Sequence, residues 1–148
     1  MAFDPARTFW IANDWYWRIA ENIATLTPET AAHDVARPLL HLLGRAFELD
    51  VEAPGLVVTL AEQRTAIALT SNVSDRVALG HLISDLNRIL TSADLELAFA
   101  IVVLRRYELC GTLLDVAELD RLYGDPRLLA PTTPRSRTAS STSRGASA

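Results

Sequence analysis

The sequence predicts an all-α fold, a compact bundle of five or six helices followed by an extended C-terminal tail. Three observations lead to this prediction. Helix-capping residues recur along the chain, apolar residues repeat at helical spacing, and residues 97–104 form an unbroken apolar run. The length of 148 residues suffices for one domain with a real core, and an apolar fraction of 49% excludes a chain that is disordered throughout.

The first helix is expected to begin at Asp4 and Pro5, because a carboxylate can cap the backbone and proline fits the first helical position. Its predicted core stripe contains Phe9, Ala12, Tyr16, Ile19, Ala20 and Ile23. Tryptophans extend this stripe on both flanks, and tryptophan is enriched at interface hot spots. We therefore predict that the helix binds a partner through Trp10, Trp15 and Trp17, with burial inside the bundle as the alternative.

The second helix is expected to start at Thr27 and Pro28 and to continue to Glu48, with a kink or a break at Pro38. Its two histidines, His33 and His41, stand two helical turns apart, about 12 Å along the axis, which is too far to share one metal ion. No metal site is expected in this helix.

Residues 56–70 allow two interpretations. Pro54 near the start and the run Ala-Glu-Gln-Arg at 61–64 favour a helix. The β-branched content favours a hairpin instead, with strands at 56–60 and 65–69. The intervening loop lacks the Gly, Asn, Asp or Pro residues that hairpin turns prefer, so the helix is the main prediction and the hairpin the alternative.

Three further helices complete the predicted bundle. Residues 74–90 have an amphipathic pattern, with apolar side chains on one face and His81 and Asp85 on the other. Residues 95–110, with a start signal at 91–94, are apolar on all sides and are expected to form the central helix. A short helix should follow Gly111 and end at Gly124, before Asp125 and Pro126.

The composition changes after Ala130, which divides the chain into a helical domain at 1–130 and a flexible tail at 131–148. The tail is rich in Pro, Ser and Thr and has no large apolar residue. Its charge is +3, whereas the first 130 residues contain 11 arginines and 18 acidic residues. We predict that the tail contacts a protein, or in a second interpretation a nucleic acid, through Arg135, Arg137 and Arg144.

Functional motifs are missing from the sequence: it has no Gly-rich phosphate loop, CxxC pair, HExxH motif or nucleophile elbow. No cofactor is expected, and Cys110 is expected to be a small buried residue. The leading prediction is a non-catalytic adaptor, accessory or assembly subunit that binds a protein partner or its own copies. A regulator that contacts nucleic acid through the tail is the alternative, and an enzyme with carboxylates in a bundle cleft is the third.

The cellular location and the genomic origin of the protein can also be predicted. The chain has neither a basic apolar leader nor an apolar stretch of about 20 residues, so we expect a cytoplasmic protein without membrane contact. All 14 basic residues are arginine, and none is lysine. Because lysine codons are A-rich, this composition indicates a GC-rich genome and has no functional meaning.

Overall fold

The computed structural model describes residues 3–12, 14–105 and 107–132. These residues form two antiparallel sheets with seven strands, combined with five α-helical segments, one π-helical segment and one 3₁₀ turn, so the all-α prediction is wrong and the fold is α+β. Sheet A has the strand order β1-β6-β5-β7, with β1 at Thr8–Ile11, β5 at Leu97–Val103, β6 at Leu109–Asp115 and β7 at Leu128–Ala130. Sheet B has the order β2-β3-β4, with strands at Phe47–Glu52, Gly55–Leu60 and Gln63–Ala68.

The predicted central helix at 95–110 is instead the hairpin of β5 and β6. In β5, Phe99 and Ile101 face the larger core, while Ala98, Ala100 and Val102 face a second apolar cluster on the opposite side of sheet A. A strand that is buried on both faces has a continuous apolar sequence, because neither set of alternating side chains meets water. The apolar run therefore has the same appearance as a buried helix, and this ambiguity explains the wrong prediction.

Residues 56–70 form the hairpin of β3 and β4, so the helical interpretation is wrong and the alternative is confirmed. The connection is a two-residue turn in which Ala61 and Glu62 have φ angles of 52° and 65°. Both residues thus adopt the positive φ that a type I′ turn requires, without the residues that usually supply it. At the far end of the hairpin, a Cβ atom on Gly55 would overlap the carbonyl oxygen of Ile67, so this position requires glycine.

The predicted first helix is split into three elements. Asp4 accepts a hydrogen bond from the N–H of Ala6, as expected of a cap, but the 3₁₀ turn that it caps covers only Pro5–Arg7. Strand β1 follows, and helix α1 covers Asp14–Ala20. Phe9 of β1 lies directly over Gly111 of β6, which offers no side chain to block the ring. This distant pairing overrides the local helical pattern.

The second predicted helix begins as expected, with Thr27 as its N-cap, but ends earlier. It consists of α2 at Pro28–Thr30, a π-helical segment at Ala31–Ala36 and α3 at Arg37–His41. The wider π turn ends two residues before Pro38, whose ring would clash with the carbonyl of residue 34 in a regular α-helix. Gly44, with a φ of 67°, follows the helix, and the last part of the predicted helix, up to Glu48, lies at the start of strand β2 instead.

Helix α4 at Asp75–Ser92 confirms the predicted amphipathic helix. Ser74 caps it, and the predicted apolar stripe is buried. The start signal at 91–94 is wrong, because α4 ends there and Asp94 turns the chain with a φ of 58°. Helix α5 at Val116–Leu122 begins later than the predicted start after Gly111, because residues 112–115 belong to β6. Asp115 is its N-cap, inside a capping box with Glu118, and the chain turns at Gly124 as predicted.

The main core lies between α4, the π-helical segment, one face of sheet A and the inner face of sheet B. A smaller apolar cluster lies under α5 on the other face of sheet A. Among the helices in the described ranges, none is both long enough and apolar enough to cross a membrane. The arrangement leaves β1 at one edge of sheet A, where the candidate site is found.

Candidate functional site: a groove at the edge of sheet A

Strand β1 borders a groove with a volume of about 280 Å³. In the described part of the chain, β1 pairs with β6 on one side and has no strand on its other side. The edge of a sheet presents backbone N–H and C=O groups that can pair with a further chain. The groove is lined on the strand side by Phe9, Trp10, Ile11 and Ala12, and on the helix side by His33, Asp34 and Pro38.

Trp10 provides the largest apolar surface at this groove. Its Cα lies opposite that of Cys110 in β6, and 56% of Trp10 is exposed. Phe9 and Ile11, its neighbours in β1, pack against or within the main core instead. The alternation of β1 thus anchors two side chains inside the protein and leaves the indole of Trp10 in water at the mouth of the groove.

Asp34 provides a carboxylate on the opposite wall. The indole Nε1–H of the fully buried Trp15 donates a hydrogen bond of 3.0 Å to Asp34 Oδ2. The guanidinium of Arg18 lies 4.4 Å from the centre of a Trp15 ring, so the indole is held from two directions. This contact fixes the position of the Asp34 carboxylate, although Asp34 itself is exposed to solvent.

A cluster of three aromatic side chains lies beyond the C-terminal end of β1. Tyr16 and Trp17 belong to α1, and Tyr107 belongs to the turn between β5 and β6. The ring centres of Trp17 and Tyr107 are 4.9 Å apart, and those of Tyr16 and Tyr107 are 5.1 Å apart. Trp17 is 49% exposed and Tyr107 is 40% exposed. We refer to Tyr16, Trp17 and Tyr107 as the aromatic cluster.

The predicted partner-binding residues have different positions in the fold. Trp10 and Trp17 are both half exposed, but they lie on a strand and a helix rather than on one helical flank. Trp15 is fully buried and contributes to the core. The other three, together with the nucleic-acid alternative that depends on them, lie outside the described residues: Arg135, Arg137 and Arg144.

Sequence reasoning missed Asp34 and Tyr107. Asp34 is 19 residues away from its hydrogen-bond partner Trp15, and Tyr107 joins the aromatic cluster only because β6 pairs with β1. No short-range spacing connects these residues. Their contribution could have been found only by recognising β1 as an edge strand.

A buried carboxylate elsewhere in the protein has a structural role. Asp75, at the start of α4, is fully buried and forms an ion pair of 2.8 Å with Arg18. It also accepts hydrogen bonds from the backbone N–H groups of Thr25 and Leu26, at 2.8 and 2.9 Å. These contacts attach the loop after α1 to α4. Because its oxygens are engaged in this way, Asp75 serves as a connection between elements.

Cys110 lies in strand β6 of sheet A, and its side chain is buried. Burial, reinforced by the negative charge of the nearby Glu108 and a contact with it, raises the pKa of the Cys110 thiol to about 11. Such a thiol is protonated at neutral pH and is a poor nucleophile. Across the described residues, no group of three or more His, Cys, Asp or Glu side chains is arranged to hold a metal ion.

No protein-family model, curated protein or solved structure matches this chain. Its function is therefore inferred from the geometry of the groove and of the side chains that surround it.

Proposed function

We propose that this protein is a non-catalytic interaction subunit that binds an extended segment of a partner protein along β1. The observation that supports this proposal is the groove between the unpaired edge of β1 and the π-helical segment. In strand addition, backbone hydrogen bonds to a sheet edge provide affinity, and pockets for alternate side chains provide selectivity. The free edge of β1 could supply the backbone hydrogen bonds, and the π-helical segment forms the wall of a pocket for side chains.

The size of the groove favours a single extended chain as the occupant. Paired strands lie about 4.8 Å apart, so an added strand would occupy the space next to β1. A volume of about 280 Å³ is small even for a pocket, and the π-helical wall limits how wide an occupant can be.

The exposed aromatic side chains would contribute affinity around this edge. Trp10 stands at the mouth of the groove, and the aromatic cluster lies past the end of β1. Tryptophan and tyrosine dominate interface hot spots, because each buries a large surface at a small cost in side-chain entropy. A bound segment that continues beyond Ala12 would meet Trp17 and Tyr107 next.

The test is a selection from a displayed library of random short peptides, followed by NMR titration of the full chain with a selected peptide. We expect amide shifts that are concentrated at residues 8–12 and 33–38. Trp10→Ala should weaken binding about tenfold or more. Val77→Ala is the control, because Val77 is 42% exposed on α4 and lies outside the groove lining. Failure to select any peptide, or shifts on another surface, would overturn the proposal.

A further inference from the structure

We infer that the partner segment bound along β1 carries an arginine whose guanidinium pairs with Asp34 on the wall of the groove. This inference rests on the proposed function, because it requires β1 to accept an added strand, and it names the chemistry of that strand. Three features of the groove support it. They are the way in which the Asp34 carboxylate is held, the charges around it and the alternation of side chains along β1.

The Asp34 carboxylate is held in place by a donor that carries no charge. Asp34 belongs to the π-helical segment, and its Oδ2 accepts the hydrogen bond of 3.0 Å from the buried indole of Trp15. An ionised carboxylate has about four lone-pair sites, so a single N–H donor leaves most of them open. Because the indole is neutral, it does not offset the negative charge. The wall of the groove therefore presents a fixed anionic acceptor.

The described residues supply no cation to this carboxylate. None of the ion pairs found among them includes Asp34. The arginines of the two adjoining helices, α1 and α3, have other partners. Arg18 pairs with the buried Asp75 at 2.8 Å, and the guanidinium of Arg37 donates to the carbonyl of Leu49 at 3.3 Å. An exposed carboxylate without a counter-charge attracts a basic group on a partner.

The alternation of β1 predicts where the basic residue stands in the segment. Phe9 and Ile11 face the main core, to which the π-helical segment also belongs, whereas Trp10 projects from the opposite face of sheet A. Residues that pair directly across two strands share a face, so an added strand would alternate in the same way. Its side chains on one face would meet Asp34, and those on the other face would meet the exposed Trp10. We therefore expect an arginine directly beside an apolar residue.

Arginine suits this wall better than lysine. Its planar guanidinium presents five N–H donors in a fixed fork, which matches the two oxygens of a carboxylate. Among the hydrogen bonds of the described residues, Asp34 takes part only through Oδ2, so Oδ1 is available for the second branch of the fork. The apolar stem of an arginine side chain can also lie along Pro38, which lines the same wall.

The test is a double-substitution cycle with the full chain and a peptide selected from the random library. In the peptide, the arginine is replaced by glutamine. In the protein, Asp34→Asn removes the charge and keeps an oxygen that can accept the bond from Trp15. We expect Asp34→Asn to weaken binding of the arginine peptide about tenfold and to leave binding of the glutamine peptide unchanged. Titration at about pH 8 limits competition from a protonated imidazole at His33.

Asp50→Asn is the control, because it makes the same change of charge at an exposed position of β2, outside the groove lining. This variant should bind both peptides as the unchanged chain does. Equal losses for the arginine and glutamine peptides in Asp34→Asn would contradict the inference, as would selected peptides that share no arginine. In either case, amide shifts at residues 8–12 and 33–38 would leave the proposed function standing. If no peptide is selected, or if the shifts lie on another surface, the proposed function fails as well.

Discussion

Asn87 shows how one buried side chain can replace part of a strand. The pairing of β7 with β5 covers Ile101 and Val102 and does not extend to Phe99. At Phe99 the side chain of Asn87 makes these hydrogen bonds in place of a strand. The backbone N–H of Phe99 donates to Asn87 Oδ1 at 2.6 Å, and Asn87 Nδ2 donates to the Phe99 carbonyl at 3.0 Å. The amide thus satisfies both backbone groups of a central strand and attaches α4 to sheet A.

Replacing Asn87 with leucine should therefore be costly. The substitution leaves two buried backbone groups of Phe99 without their partner, and each such group costs about 1–3 kcal/mol. We expect the free energy of unfolding to fall by about 2–5 kcal/mol, as measured by urea denaturation. Ser71→Ala, at an exposed position, is the control and should change little. A loss below about 1 kcal/mol for Asn87→Leu would show that the amide bonds contribute little.

Cys110 gives a prediction about reactivity and pH. With a pKa raised from 9.0 to about 11 by burial, roughly one thiol in 1,000 is ionised near pH 8, compared with roughly one in ten for a free thiol. Labelling with a disulfide reagent should therefore be slow in the folded protein and fast in urea. Because the folded pKa is the higher one, its stabilising contribution is complete below about pH 9 and is lost as the pH rises towards 11. Rapid labelling of the folded protein would contradict this picture.

Among the elements, the turn between β3 and β4 is the clearest case in which the sheet overrides local preference. Ala61 and Glu62 both have positive φ, a conformation that costs a non-glycine residue about 1–3 kcal/mol. The ladder on both sides of the turn compensates for this cost, since every residue from Gly55 to Leu60 has a partner in β4. The absence of typical turn residues was therefore a misleading argument against a hairpin.

Relieving this strain should stabilise the protein. Ala61→Asn combined with Glu62→Gly supplies the sequence that type I′ turns prefer. We expect the free energy of unfolding to rise by about 1–2 kcal/mol in thermal or urea denaturation. Introducing glycine at Arg88, an exposed position inside α4, should have the opposite sign and cost about 1 kcal/mol. A destabilised turn variant would argue against the positive φ angles at Ala61 and Glu62.

The helix caps and the strand β5 mark how far sequence reasoning succeeds. The cap at Thr27 was predicted correctly, and Ser74, one of two candidate caps with Asn72, is the observed cap of α4, because a cap acts on backbone groups only two or three residues away. The nature of residues 97–103 depends instead on two partners, β6 and β7, that lie on either side of β5. Local pattern cannot show such pairing. The edge position of β1, and with it the candidate site, was hidden for the same reason.

At the scale of the whole molecule, stability and partner binding should be separable. Trp10 and Trp17 are half exposed, so the double substitution Trp10→Ala with Trp17→Ala should lower the melting temperature little and weaken binding of a selected peptide by about 2 kcal/mol or more. Ile19 is buried, as predicted, whereas Tyr16 is half-buried in the aromatic cluster. Ile19→Ala should cost about 2–5 kcal/mol in unfolding free energy. Calorimetry measures the stability of both variants, and peptide titration measures their binding. If the double tryptophan variant does not fold, Trp10 and Trp17 contribute to stability rather than to partner binding.

The pairing of β1 with β6 also has a consequence for synthesis on the ribosome. Thr8 meets Thr112, 104 residues later in the chain, so β1 leaves the ribosome long before its partner exists. At about 5–20 residues per second, that interval lasts about 5–20 s. Sheet B, whose three strands follow one another within residues 47–68, can form during this delay.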